Sequence, residues 1–243
     1  STASYAWFTM SNRVEVTGVE LTVVAPTNIL IRERSSTYPN AFSNSVTVST
    51  NPTTGKLSHA SSIDGETMFT VENAITMVET DGTLTSTATI VTATTPVAPT
   101  TDGFYIDFFF ELVNTGSEDV SVGLENLVIA GTTTSAAGTY ADGAVRFAIL
   151  EDGTDSLGVF AKSVETVQAY DTTTTLAAQT TVTSGVDLFD VLGSGVADAS
   201  SPNPAGMKSI TVRVWIEGQD DDCVTANAGS SFSISFDLVV TTP

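Results

Sequence analysis

Apolar residues in this chain recur at every second position, and helical spacing is nearly absent. In 103–114 (GFYIDFFFELVN), Phe104, Ile106, Phe108 and Phe110 point one way, and Tyr105, Asp107, Phe109 and Glu111 the other. Val212, Val214 and Ile216 alternate in the same manner with Arg213, Trp215 and Glu217. So do Phe232, Ile234, Phe236 and Leu238 with Ser231, Ser233, Ser235 and Asp237. A slip of one residue would turn each apolar set to water, so the pairing register is strongly specified. One face of each segment reads as core and the other as mixed, the pattern of a half-solvated antiparallel sheet.

Short β-rich runs separated by Gly, Pro, Asn and Asp predict strands at 4–10, 13–24, 27–33, 45–50, 67–72, 75–80 and 84–92. A second group follows at 103–113, 120–129, 144–150, 157–161, 164–170, 208–217 and 230–241. That rhythm marks an all-β fold, a sandwich or a barrel. One short helix is expected at 186–192 (VDLFDVL), between Gly185 and Gly193. Residues 13–243 read as a single domain behind an N-terminal extension, 1–12. The Pro/Thr-rich stretch 92–102 (TATTPVAPTTD) is the place where the chain could divide in two; a long loop within one sandwich is the other reading.

Eight Lys plus Arg stand against 28 Asp plus Glu, a net charge of -20 over 243 residues. A surface this acidic repels nucleic-acid phosphates and anionic lipid, so neither is an expected partner. It suits calcium, a cationic partner or simple solubility. Charged residues make up only 15% of the chain, so Thr and Ser must supply much of the polar surface, an extracellular kind of composition. No apolar stretch approaches the roughly 20 residues needed to cross a bilayer as a helix. No N-glycosylation sequon occurs either, since Asn51 and Asn203 are each followed by Pro.

Catalytic constellations are sparse. His59, the single histidine, lies in the polar run KLSHASS and reads as an exposed loop residue, with no G-x-S-x-G elbow in the chain. Cys223, the single cysteine, cannot form an intramolecular disulfide, and the charges of Asp220, Asp221 and Asp222 before it suppress its thiolate. The expectation is a protein that is not an enzyme and needs no cofactor, with calcium as the one exception to weigh. Glu217, Asp220, Asp221 and Asp222 cluster as a hard cation would require, ahead of the acidic turns 151–155 and 64–66. None matches the D-x-[DN]-x-[DN]-G loop, and Asp and Gly are also what ordinary turns want.

The N-terminus is unusual. Residues 1–24 (STASYAWFTMSNRVEVTGVELTVV) have no initiator Met, basic n-region or apolar h-region, and read as a mature end left after signal-peptide cleavage. Tyr5, Trp7 and Thr9 fall on one side of an extended segment, and Ala6, Phe8 and Met10 on the other. Such a strand either seals its own domain or completes a neighbour's sheet. The phrase Tyr5-Ala6-Trp7-Phe8-Thr9, with Asn12 and the strand to Val24, resembles the processing-site region of secreted Gram-positive surface proteins of the TasA/camelysin group. The segments ADGAVRFAIL, ITVRVWIEGQDDDC and FSISFDLVV are similar to those of secreted proteins from such bacteria. Four residues precede the aromatic motif here, a departure from the TasA pattern.

The resemblance implies a jelly-roll-like antiparallel β-sandwich, located outside the cell, that polymerises with copies of itself. The donor strand would be Tyr5, Ala6, Trp7, Phe8, Thr9 and Met10, and no catalytic residues carry over. Two other readings stand beside it. One is a monomeric carbohydrate-binding or adhesin-type module, which would present Trp215 and Tyr170 to solvent. The other is a surface-layer or capsid-like shell protein.

Overall fold

Period-two segments become strands almost wherever punctuation leaves them long enough. The computed structural model describes residues 15–16, 18–26, 28–34, 41–50, 57–80, 83–93, 103–172, 175–185, 187–193 and 204–242. At 15–16, 49–50, 70–80, 83–93 and 242 it describes the backbone alone. The first strands are β1 (Glu15–Val16), β2 (Val19–Val24), β3 (Ile29–Glu33), β4 (Ser45–Thr50), β5 (Leu57–Ser58), β6 (Met68–Thr80) and β7 (Thr83–Ala93). Then come β8 (Tyr105–Asn114), β9 (Val120–Thr133), β10 (Val145–Glu151), β11 (Asp155–Ala161), β12 (Thr166–Tyr170) and β13 (Leu176–Thr180). The last are β14 (Phe189–Val191), β15 (Lys208–Ile216) and β16 (Ser231–Thr242).

Ten of these strands build a sandwich of two five-stranded sheets. The first runs β11-β10-β15-β8-β3 and the second β14-β9-β16-β2-β4. The chain passes from sheet to sheet at most of its connections, in the manner of a jelly roll. Pairing within the sheets is antiparallel except between β16 and β2, which run parallel from Phe232↔Val19 to Asp237↔Val24. Three two-stranded ribbons complete the fold: β1–β5, β12–β13 and β6–β7. Both five-stranded sheets combine strands from before and after 92–102.

The interior between the sheets is the one the alternation marks. Ile106, Phe108 and Phe110 of β8 and Val212, Val214 and Ile216 of β15 meet Leu21, Val23, Phe232, Ile234, Phe236 and Leu238. Phe147 of β10 ties the layers together: its ring stacks on Phe160 at 5.0 Å and on Phe236 of the opposite sheet at 5.4 Å. Each buried aromatic of this kind contributes about 2–3 kcal/mol through lost water contact alone.

The expected helix at 186–192 is a correction: its described part contains β14, paired antiparallel to β9 from Phe189↔Val122 to Val191↔Val120. Phe189 and Val191 turn inward with Asp190 outward, so a period-two reading of DLFDVL wins over a helical one. The helical turns among the described residues are two three-residue 3-10 segments, Asp142–Ala144 and Thr225–Asn227. The predicted pair 67–72 and 75–80 is one strand, β6, and the gap between them falls on a register shift between Glu72 and Thr76. Strand β13 (LAAQT) carries no alternating apolar signal and escapes a sequence reading. The donor-strand residues Tyr5, Ala6, Trp7, Phe8, Thr9 and Met10, and the extension 1–12, lie outside the described residues.

Candidate functional site

Two regions have the makings of a site: the polar layer on the outer face of the first sheet, and the edges of the sheets. The outer face of β8, β15 and β10 does not lie open along its length. Residues 57–69 and the β12–β13 ribbon cover one end, and Ala60, Met68, Tyr105, Ala148, Leu150, Val159 and Trp215 form a second, smaller apolar cluster beneath them. Gly65 makes the close approach: it has φ +86, and a Cβ there would sit 2.5 Å from Ala148 Cβ and 3.3 Å from the Trp215 ring. Arg213 helps hold this cover, with Nη1 donating to the Gly65 and Glu66 carbonyls at 3.1 and 2.8 Å. Its other face grips Asp107 through two N–H donors at 2.7 and 2.9 Å and lies 4.4 Å above the Tyr105 ring.

Under the cover lies a buried charge network. Arg146 is 0% exposed. Its guanidinium donates to Gln179 Oε1 at 3.0 Å, to the Gly143 carbonyl at 2.9 Å and to Asp220 Oδ2 at 2.5 Å. Glu165 Oε1 stands 2.8 Å from the same Nη2. Gln179 turns its amide nitrogen the other way, to the Ser62 carbonyl at 2.5 Å and Glu217 Oε2 at 3.3 Å. Glu217 also accepts from the Ser62 N–H, the Trp215 indole N–H and the Gln219 N–H, each at 3.2 Å. Burial pushes the Glu217 carboxyl well above its ordinary range, although bonds from Ser61, Trp215, Gln219 and Ser62 act against it. Glu165 is also raised, by burial first, with Arg146 opposing and Asp220 and Asp222 adding to it.

This network bears directly on the calcium candidates. Glu217 and Asp220 are engaged by protein donors: Asp220 accepts the Asp222 N–H at 2.8 Å on one oxygen and Arg146 on the other. Asp221 and Asp222 are exposed. A cation bound through all four would have to displace Arg146 and the Trp215 indole. Among the described residues, no three His, Cys, Asp or Glu side chains gather as a metal-holding group. The other acidic turns do turn work. Asp152 and Gly153 take φ 49 and φ 78 in the β10–β11 turn, while Glu151 pairs with Lys208. Asp64 Oδ1 accepts the Glu66 N–H at 2.9 Å, and Glu66 Oε1 the Ser156 N–H at 2.8 Å.

The four sheet edges differ in what lies against them. On β3, Ile31 and Ser43 exchange backbone hydrogen bonds at 2.8 and 2.9 Å. On β11, Ala161 N–H donates to Val182 O and Val182 N–H to Val159 O. Edge β14 is three residues long. Edge β4 is six residues long and pairs only with β2 among the described residues. Ala25 N–H donates to Asn44 O at 2.7 Å, and in that register Val46, Val48 and Thr50 turn their backbone groups toward β2. Ser45, Thr47 and Ser49 turn theirs outward. The Thr22 and Thr47 hydroxyls, 2.9 Å apart, fit the close side chains of a non-hydrogen-bonded pair. Ser43 Oγ donates to Ser45 O, which leaves Thr47 and Ser49 to present the row.

The remaining sequence candidates are dispersed. His59 is half-buried directly after β5 rather than exposed. Cys223 packs partly against the main core; burial raises its thiol pKa first, and the Glu217 and Asp220 charges raise it further against Arg146. A thiol so raised is a poor nucleophile. Trp215 and Tyr170 are both buried, so neither is the solvent-facing aromatic that would favour the sugar-binding alternative. No helix among the described residues is long and apolar enough to cross a membrane. The buried network had one legible trace, the charge of Arg146 within the apolar run of β10 and that of Glu217 directly after the apolar end of β15; Gln179 had none. Compared with known proteins, this chain matches no protein-family model, no curated protein and no solved structure.

Proposed function

We propose that this chain is the structural subunit of an extracellular homopolymeric filament. Residues 4–10 of one copy add as a strand to the outer edge of β4 in the next. The observation that carries this reading is the β4 edge, where Thr47 and Ser49 turn backbone outward that pairs with no strand among the described residues, and Val46 and Val48 pack on the core. An extended segment with Trp7 and Phe8 on its two faces is chemically suited to such an edge: backbone bonds hold it, and alternate side chains find pockets. Each large aromatic buried at the junction would contribute about 2–3 kcal/mol. Head-to-tail insertion is a heterologous contact and propagates as an open fibre.

Negative-stain microscopy of the purified full chain tests the reading, with filaments as the expected result. A chain lacking residues 1–10 should stay folded by circular dichroism and form none. Thr47→Pro removes one outward N–H while leaving the β2 pairing, and should also abolish filaments. A full chain that remains a monodisperse monomer overturns the proposal. Filaments from the truncated chain would overturn strand insertion as the mechanism.

A further inference from the structure

The ribbon β6–β7 is the longest two-stranded element and is attached at its base. Met68 belongs to the smaller cluster and Phe69 is buried beside it in sequence; Phe69 and Ser61 exchange backbone hydrogen bonds at 2.8 and 2.9 Å, and Phe69 faces the Tyr170 ring at 6.4 Å. Beyond that point, among the described residues, β6 and β7 pair with each other alone, out to Thr80↔Thr83. At about 3.3 Å per residue this is a ribbon roughly 35 Å long. A lone two-stranded ribbon is at best marginally stable in water, so a third strand would stabilise it.

The two edges of the ribbon differ. Strand β6 carries Glu72 and Glu79, and its ladder is interrupted between Glu72 and Thr76. Strand β7 (TLTSTATIVTA) is eleven residues with no charge, no Pro and no Gly, and is rich in Thr, a strand-favouring residue. Its own sequence therefore supplies neither of two devices by which natural edge strands discourage pairing, charge and Pro. In a chain of net charge -20, an uncharged strand is also where a second copy approaches without like charges directly opposite. We infer that β7 is a self-docking strand, pairing antiparallel with β7 of a second copy about a two-fold axis to give a four-stranded β6-β7-β7-β6 sheet. An antiparallel strand paired with its own copy is self-complementary, so this contact closes a dimer. It is independent of the N-terminal insertion.

Amide hydrogen exchange read by mass spectrometry on the full chain, over a dilution series, tests this. Residues 83–93 should be protected at high concentration and lose that protection on dilution, with the same midpoint as a monomer–dimer step in sedimentation. The double substitution Thr85→Asp with Thr89→Asp should weaken that step at least tenfold. Mixing that variant with one carrying Thr85→Lys and Thr89→Lys should restore it as a heterodimer, an outcome a misfolded ribbon cannot give. Exchange at 83–93 that is independent of concentration overturns the inference, as does association unchanged by the Asp pair. If filaments never form but the 83–93 response persists, the filament reading falls and this one stands.

Discussion

Two interiors lie on opposite faces of the same sheet, and they are built by different rules. Between the sheets, Phe147, Phe160, Phe236 and their neighbours form a layer held by burial and ring stacking. On the outer face, Trp215 and Tyr105 share a buried space with Arg146, Glu217, Asp220 and Gln179. Apolar packing is non-directional and tolerates many partners. A buried charge tolerates few, because each missing bond leaves a desolvated group unsatisfied. The inner layer therefore decides that a sandwich forms. The outer one decides which segments cover it: 57–69, β12–β13 and the 217–223 turn all meet at its polar groups.

The sharpest way to break that contrast is Arg146→Ala. It strips the counter-charge from Asp220 and Glu165 in a buried place and should cost up to about 5 kcal/mol in urea unfolding, with the cover over Trp215 released. Increased Trp fluorescence quenching by acrylamide would register that release; a fully protected indole would show that the network does not hold the cover. Phe147→Ala should come next, at about 3–4 kcal/mol, without any change in the shape of the pH–stability curve.

A pH prediction separates the two layers further. The folded-state pKa of Glu217 lies above its ordinary value of 4.5, so its contribution is fully present below that value and is lost as pH rises through the folded pKa. Glu165 shifts in the same direction. Wild type should thus lose stability relative to Glu217→Gln as pH rises from about 4.5. Parallel melting curves for the two proteins between pH 4 and 8 would contradict a raised Glu217. The smallest effect belongs to the uncovered end of the same face: Phe109 is 44% exposed, and Phe109→Ser should shift stability by no more than about 0.5 kcal/mol.

Much of the fold was legible because a strand's side chains declare their two faces. The segments around Phe108, Val214 and Phe236 each interleave an apolar set with a mixed or polar one, and all three are strands with the expected face inward. The misses have physical causes. The segment 186–192 is too short for periodicity to separate two turns of helix from a three-residue strand, and pairing to β9 settles it. Strand β13 is Ala-rich and half-exposed, so no alternation marks it. Apart from these misses, the calcium candidates Glu217 and Asp220 are neighbours in sequence whose carboxylates have different protein partners: Glu217 has Trp215, Ser62 and Gln179, and Asp220 has Arg146.

By itself the sequence determined the all-β class, the inward face of the core strands and the strongly acidic charge, since period-two patterning and composition are local properties. Tertiary structure alone decided that Trp215 is buried rather than offered to a ligand and that Gln179 bridges two charges. It also decided that β4 and β7 stand at edges among the described residues. Edge and bridge are relations between distant segments, and no window along a chain contains both partners.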